Sequence, residues 1–340
     1  MAARWLQSNG IQLAVTQNLE MAEGDASPRK APLVHSLTDF DLSWQPNSKG
    51  GLKGTKFAAR YSLLNRTREC LEPDMQGFSS LSAPSFRHWR EAWVEQPLWG
   101  KVRLKVGKVD ANTEFAVIEF AGDMSNASLG VSPALWTMPT YPGGAASANV
   151  FADVKPWLSG GAGVYRMAEG GTYAVTEIRT RWAGRKSGRA AYGHWSTTSS
   201  RGGPTAIAGT SGSYFIVEQS VLRMGDDRGL RLFARFATAD ALLAPASTHS
   251  AYGFTWLGVG RRAKDSIGFA VLGLQPVGDG EALRVERIYE LYYRIPLSKY
   301  FAIKADIQHV VRPAGVVSAP TVTIASVRLL MNLATPPPER

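Results

Sequence analysis

Cysteine is almost missing from this chain: 340 residues contain one, Cys70. A lone thiol closes no intrachain disulfide and builds no Cys-cluster metal site. Long apolar runs are missing too. Stretches such as Ile267 to Leu274 are less than half the roughly 20 residues of a transmembrane helix, which excludes a helical membrane protein and leaves a membrane β-barrel open. Acid is scarcer than base, with 28 Asp and Glu against 38 Lys and Arg and a formal charge of +10. The basic residues are dispersed at strand spacing rather than massed on one helix or arm, so nucleic acid is not the expected partner. Hydrophobic residues make up 44% of the chain and charged ones 19%, which excludes intrinsic disorder. Met1-Ala2-Ala3-Arg4-Trp5 shows no apolar h-region of a secretory leader, and a start without one is the expectation.

Motifs of catalysis are missing as well. There is no Gly-rich loop ending in Lys-Ser/Thr, no paired-His metal motif and no Gly-x-Ser-x-Gly elbow. Gly258-Val259-Gly260-Arg261-Arg262-Ala263 formally fits a dinucleotide fingerprint, but strand patterns lie on both sides of it, so it reads as a hairpin turn. His194 and Ser196 sit in a strand pattern with no acid placed by spacing. No enzyme, no cofactor and no metal are expected.

Alternation with period two is present from end to end. In Ile11 to Met21 the odd positions are apolar except Gln17 and the even ones polar except Ala14, the pattern of a strand with one greasy and one wet face. Between Ala282 and Ile295, Leu283, Val285, Tyr289, Leu291, Tyr293 and Ile295 share one face, and Arg284, Glu286, Glu290, Tyr292 and Arg294 the other. Arg287 breaks the apolar face and is expected at a rim. The pattern recurs at 33–45, 55–65, 86–96, 101–106, 147–155, 159–168, 173–182, 189–198, 210–222, 230–236, 250–260, 265–275, 299–311 and 321–333, giving about sixteen strands. Gly, Ser, Asn, Asp and Pro clusters such as Pro46-Asn47-Ser48-Lys49-Gly50-Gly51 separate them. The alternation lapses from Asp110 to about Ala146, a length that signals a functional loop. The tail 334–340, ending Pro336-Pro337-Pro338-Glu339-Arg340, is expected outside any sheet.

Alternation fits both a soluble β-protein and a membrane barrel, whose apolar faces meet lipid and whose polar faces line a lumen. Strands of roughly 9–11 residues, which cross a bilayer when tilted, and charge pairs such as Arg284/Glu286 and Glu290/Arg294 favour the barrel. The whole chain, 1–340, then forms one all-β, transmembrane antiparallel barrel. A water-filled passage for polar solutes offers cationic donors, carboxylate acceptors and aromatic platforms. By alternation the inward donors are Arg103, Lys105, Arg179, Arg181, Arg231, Arg235, Arg284, Arg294, Lys304 and Arg328. The acceptors are Glu218, Glu286, Glu290 and Asp306, and the platforms Tyr192, Tyr214 and Tyr292. The blander reading makes each arginine part of a salt-bridge ladder, lets Asp110 and Asn112 cap a turn, and makes Trp44, Trp99, Trp157 and Trp256 interfacial anchors.

A set of short motifs carries a family resemblance. It runs through Trp99-Gly100-Lys101, Lys105-Val106-Gly107-Lys108-Val109-Asp110-Ala111-Asn112, Glu114-Phe115, Asn126-Ala127-Ser128-Leu129-Gly130 and Pro133. It continues with Tyr192-Gly193-His194-Trp195, Gly212-Ser213-Tyr214-Phe215, Glu218-Gln219, Gly229 to Phe236 and Asp265-Ser266-Ile267-Gly268. It ends with Glu286, Tyr289-Glu290-Leu291-Tyr292-Tyr293, Asp306-Ile307-Gln308-His309, Arg312-Pro313-Ala314-Gly315 and Arg328. In order and spacing these resemble the carbohydrate-selective porins of Gram-negative outer membranes, the OprB family. The resemblance implies a sixteen-stranded barrel in the outer membrane, passive uptake of sugars and related small polar solutes, and a homotrimer surrounded by lipid. It also implies that the stretch 110–146 folds inward as a constriction loop, which brings Asp110, Asn112, Glu114 and Asp123 toward the pore. Lys304-Ala305 ahead of Asp306 and Leu333 in place of a terminal aromatic depart from the family pattern. The short chain, the missing terminal aromatic and the Pro-rich tail motivate an alternative role as an accessory component of an outer-membrane or polysaccharide-export complex; a soluble carbohydrate-binding β-protein is the remaining reading. Arg231 and Arg235, without an acidic neighbour on their own strand, predict a mild preference for small anionic solutes.

Overall fold

The computed structural model describes residues 5–6, 8–25, 32–46, 53–67, 74–168, 170–184, 186–200, 207–225, 228–241, 244–260, 262–278 and 283–335. Cys70, the segment 47–51 and the tail 336–340 lie outside the described residues. The strands are β1 (Ile11–Gly24), β2 (Leu33–Trp44), β3 (Lys56–Arg66), β4 (Phe86–Leu98), β5 (Val102–Val109), β6 (Ala145–Lys155), β7 (Leu158–Arg166), β8 (Thr172–Trp182) and β9 (Gly188–Thr197). A two-stranded hairpin follows, β10 (Ser199–Ser200) with β11 (Ile207–Ala208). Then come β12 (Ser211–Arg223), β13 (Gly229–Ala239), β14 (Ala246–Val259), β15 (Arg262–Pro276), β16 (Glu286–Pro296), β17 (Phe301–Val311) and β18 (Val322–Ala334). All but the small hairpin join one closed antiparallel barrel of sixteen strands, in which β1 pairs with both β2 and β18. Each expected strand is present, and the hairpin β10–β11 was not foreseen.

Strand chemistry fixes which face points in. In β17, Ala302, Lys304, Asp306, Gln308 and Val310 are buried inward, while Phe301, Ile303 and Ile307 are exposed outward. The outer surface carries similar apolar residues around the barrel, including Leu19, Phe40, Val106, Val150, Ile178, Phe236 and Leu329. An exposed belt of this kind is what a lipid-facing barrel needs. Arg287 is exposed at the second position of β16, at the rim as expected. Trp44, Trp99, Trp157 and Trp256 are all exposed at one end of the barrel, where anchors at a membrane interface belong.

The two ends differ. One, the turn end, holds the start of β1, the end of β18 and mostly tight connections, such as 99–101, 156–157 and 260–261. At 260–261, Val259 pairs with Arg262, and Gly258 and Gly260 take left-handed φ of +81° and +55°. These angles suit glycine, so the apparent dinucleotide fingerprint is a hairpin. The other end carries longer connections, among them 67–85, 110–144 and 312–321.

Two inner features reshape this frame. The apolar core lies between the long loop and the wall: Phe115, Leu135 and Met138 of the loop join Tyr165, Tyr173, Trp195, Tyr214 and Phe233 in one cluster. The second feature is a bulge. Arg60 pairs with Glu91 but Tyr61 with Trp89, so β4 has one extra residue there. Both Arg90 and Glu91 are buried inward, and the bulge flips the parity beyond them. Trp89 is therefore outside, whereas Trp93, four residues on, borders the lumen.

Candidate functional site

The loop 110–144 enters the barrel through a series of capped turns. The Asp110 carboxylate accepts from the Asn112 N–H and from the Thr140 hydroxyl, at 3.0 and 2.6 Å. Asn126 caps the turn Ala127–Gly130, and Ser132 caps Pro133–Leu135. Such turns leave N–H and C=O groups without partners in the loop itself, and in a buried place each must be met.

The barrel wall meets them. Carboxylates take the N–H groups: Ala116 donates to Glu177 at 2.8 Å, Phe120 to Glu218 at 2.5 Å, and Ser125 and Asn126 to Glu290 at 2.5 and 3.2 Å. Cations take the carbonyls: Lys304 donates to Asp123 O at 2.7 Å, Arg179 to Glu114 O and Arg189 to Val117 O. Arg235 donates to the carbonyls of Ala116, Gly130 and Ser128, the first two at 3.3 and 3.1 Å. Ion pairs add to this clasp. Glu114 meets Arg103 and Lys105, each at 2.7 Å, Glu119 meets Arg181 at 2.6 Å, and Asp123 lies 3.7 Å from Arg294. Burial opposes ionisation of Glu114 and Glu119, but hydrogen bonds and charge from these cations outweigh it and hold both carboxyls below the ordinary carboxylate value.

A second inward segment, which the alternation did not reveal, lies in 74–85. Glu286 accepts from Met75 N–H and Gln76 Nε2, both at 3.0 Å, and from Ala314 N–H at 2.6 Å. Gln308 donates to Phe78 O at 2.6 Å and to Asp306 at 3.0 Å. Arg328 bonds Glu20 and the hydroxyls of Ser79 and Ser80. The two segments also bond each other: Ala127 N–H donates to Gly77 O at 2.8 Å and Ser80 N–H to Ser125 O at 2.6 Å. Buried His249 of β14 touches both, through Ser132 and Gln76.

What remains open lies against β1–β4 and β18. A cavity of about 710 Å³ is bordered by wall residues Asp39, Arg60, Arg90 and Arg328 and by Asp110, Asn112, Trp136 and Tyr141 of the loop. Its charges are paired. Arg90 lies 3.4 Å from Asp39 and 3.6 Å from Asp110, and Arg60 lies 2.6 Å from Asp41 and 3.8 Å from Glu91. Tyr141 packs on Arg90, 5.0 Å from ring centre to guanidinium. Burial pushes its hydroxyl up, so the proton stays on. That hydroxyl and the Trp136 indole N–H have no hydrogen-bond partner among the described residues. A second cavity, of about 430 Å³, lies toward the turn end and also includes Arg60.

The residues expected from sequence thus separate. Arg328, Asp110 and Asn112 border the larger cavity. Arg235, Glu286, Glu290, Tyr292, Arg294 and Asp306 point inward but lie beneath or beside the inward segments, where they hold backbone, ion pairs or packing. Arg231 faces inward near the turn end with its guanidinium 5.4 Å from the Phe120 ring centre. Glu114 and Asp123 are tied to wall cations. Two expectations are corrected. Arg284 precedes β16 and is exposed, because the strand begins only at Glu286. Tyr192 faces outward with 52% exposure. Its neighbour Gly193 holds the inward position, where a Cβ would fall 2.1 Å from the Tyr214 ring. Asp39, Arg60, Arg90, Glu91, Trp93, Trp136 and Tyr141 were not singled out; the adjacent opposite charges Arg90-Glu91, breaking the alternation, are the signal that marks the bulge.

Residues 169–333 match the family model described as carbohydrate-selective porin, OprB family. A comparison with curated protein sequences gives no match. Among solved structures, the high-pH structure of Pseudomonas putida OprB is similar with a TM-score of 0.85 at 15% identity, over 97% of this chain and 96% of that one. OmpT of Vibrio cholerae with loop L8 deleted, an outer membrane protein, gives 0.61 at 10% identity over 95% and 99%. OccK5 of Pseudomonas aeruginosa gives 0.59 at 8% identity over 96% and 99%. Residues 169–333 thus resemble the carbohydrate-selective porins in sequence, and the chain shares the closed-barrel fold of Pseudomonas putida OprB over nearly its whole length.

Proposed function

We propose that the protein is a passive channel for saccharides and related small polar solutes across the outer membrane of a Gram-negative bacterium. The observation that carries this reading is the cavity of about 710 Å³ left beside the inward loop. It falls within the roughly 300–1,000 Å³ of small-molecule sites. It presents carboxylates, guanidinium groups and two aromatic side chains together, matching hydroxyls that donate and accept and C–H faces that pack on rings. Paired charges favour weak, reversible contacts, which a conducting path requires. The turn end faces the periplasm in this reading, as short connections do in outer-membrane barrels.

Charge selectivity is weak in this reading. The expected anion preference rested on Arg231 and Arg235. Since Arg235 is spent on loop carbonyls, the preference rests on Arg231 alone, while Asp39, Asp41, Glu91 and Asp110 surround Arg60 and Arg90 at the waist. The assembly proposed is a homotrimer, and transport needs no chemistry of bond making.

Swelling of proteoliposomes in a series of mono- and disaccharides tests the function. Swelling with hexoses above that of protein-free vesicles is expected. No swelling from correctly folded barrel, together with co-purification in a large envelope complex at fixed stoichiometry, would replace this reading with the accessory role.

A further inference from the structure

We infer that the channel carries a second saccharide subsite at the turn end, built on Trp93, so that a linear sugar of two or more rings binds with one ring on each side of Arg60. The inference rests on the saccharide reading above and names the length of sugar that the passage recognises.

The second cavity, of about 430 Å³, is formed by the wall alone: Gln12 and Thr16 of β1, Asp41 of β2, Lys56 of β3, Trp93 of β4 and Asn332 of β18. Arg60 borders both cavities, so they are neighbouring spaces that share this side chain. That guanidinium is fixed by Asp41 at 2.6 Å and Glu91 at 3.8 Å. It presents donors to both sides while its charge is balanced.

Trp93 is inside only because of the bulge at Arg90-Glu91. Strict alternation from exposed Trp89 would place it in lipid. A bulge that costs a ladder position and brings a large indole to the lumen is the kind of local irregularity that re-aims a side chain. Lys105 Nζ lies over the indole 3.8 Å from the ring centre and is tied to Glu114, so it holds the ring in place, while Lys56 Nζ, 5.6 Å from the centre, borders the cavity and supplies a donor there. A sugar ring packed on the half-buried indole meets Asp41 as acceptor and Lys56, Gln12 and Asn332 as donors. The loop-lined cavity offers the matching set with Asp39, Arg90, Asp110 and Tyr141. Each space alone is a weak site. A ligand that spans both gains from the second contact without a second loss of freedom.

Current noise of the full-length channel in planar bilayers, with glucose and maltose as probes, reads the two block constants. Maltose is expected to block more tightly than glucose. Trp93→Ala should lower the maltose-to-glucose ratio about threefold to tenfold, the size of one aromatic contact, and Trp93→Phe should keep most of it. Boiling-dependent electrophoretic mobility confirms the fold of each variant. A ratio unchanged in Trp93→Ala overturns the subsite while leaving the channel reading intact. Absence of block by either sugar in the parent, with no swelling, overturns the channel reading itself.

Discussion

Arg231 and Arg235 lie four residues apart on the inward face of β13, and their surroundings give them different work. Arg231, toward the turn end, stands by the Phe120 ring. Arg235 is 2% exposed and donates to the carbonyls of Ala116, Ser128 and Gly130, with no carboxylate among its hydrogen-bond partners in the described residues. A buried cation bonded only to neutral carbonyls acts as a three-way staple for backbone. Hydrogen bonds to a charged group contribute about 1.5–3 kcal/mol each, and glutamine is too short and too poor in donors to replace three of them. Arg235→Gln is therefore expected to raise open-channel noise and conductance, because the loop loses its hold between Ala116 and Gly130. Arg231→Gln should instead shift the reversal potential under a salt gradient slightly toward cations and leave the noise unchanged. Bilayer recordings of the two single variants separate these outcomes; equal noise in both would show that the staple is not needed.

At the scale of elements, period-two alternation made all sixteen barrel strands legible, and its lapse marked the loop at 110–146, whose described limits are 110–144. The segment 74–85 was not legible, since a gap between strands shows where the chain leaves the sheet but not that Gln76, Phe78 and Ser79 turn inward. The bulge left only a faint trace, the adjacent charges Arg90-Glu91: one extra residue makes the alternation fail without announcing a new face, and strict alternation from Trp89 would assign Trp93 to lipid. The clasp was hidden because its loop half is backbone, which has no sequence signature, so Glu290 and Arg235 read as solute contacts. Loop acids anchor this clasp through Glu114 and Glu119, whose carboxyls are held below the ordinary value. A depressed folded value contributes stability fully above the unfolded pKa, about 4.3 for glutamate, and loses it as the pH falls through the folded value. Conductance noise from loop release is thus expected to be flat above about pH 5 and to rise reversibly below about pH 4. Glu114→Gln/Glu119→Gln should show that noise already at neutral pH. A double variant as quiet as the parent at pH 7 would place the anchoring elsewhere.

The whole molecule is stable as a membrane object because the sheet has no edge. β1 closes the ring on β18 over a continuous register from Ala14↔Ala334 to Gly24↔Ile324, while its other side pairs with β2 from Ile11↔Trp44 to Ala22↔Leu33. Every strand in the ring is flanked on both sides, so detergent finds no free ladder from which to peel a strand. Inside, the two inward segments brace the wall against collapse through Glu177, Glu218, Glu286, Glu290, Arg235 and Arg328. Opening the ring at one seam therefore exposes two rows of backbone groups and unfastens the loops in the same event, which makes the transition cooperative and slow. In dodecyl sulfate without heating, the folded chain is expected to migrate as a compact species, and after boiling as an extended chain near its full 36.8 kDa. Leu19→Pro removes one ladder donor at the centre of β1, opposite Leu329 of β18 and Ser36 of β2. It should lower the temperature at which the compact band disappears by several degrees or more. Identical mobility of the parent before and after boiling would be incompatible with the closed ring, and an unshifted transition in Leu19→Pro would show that the β1 seam is not where opening begins.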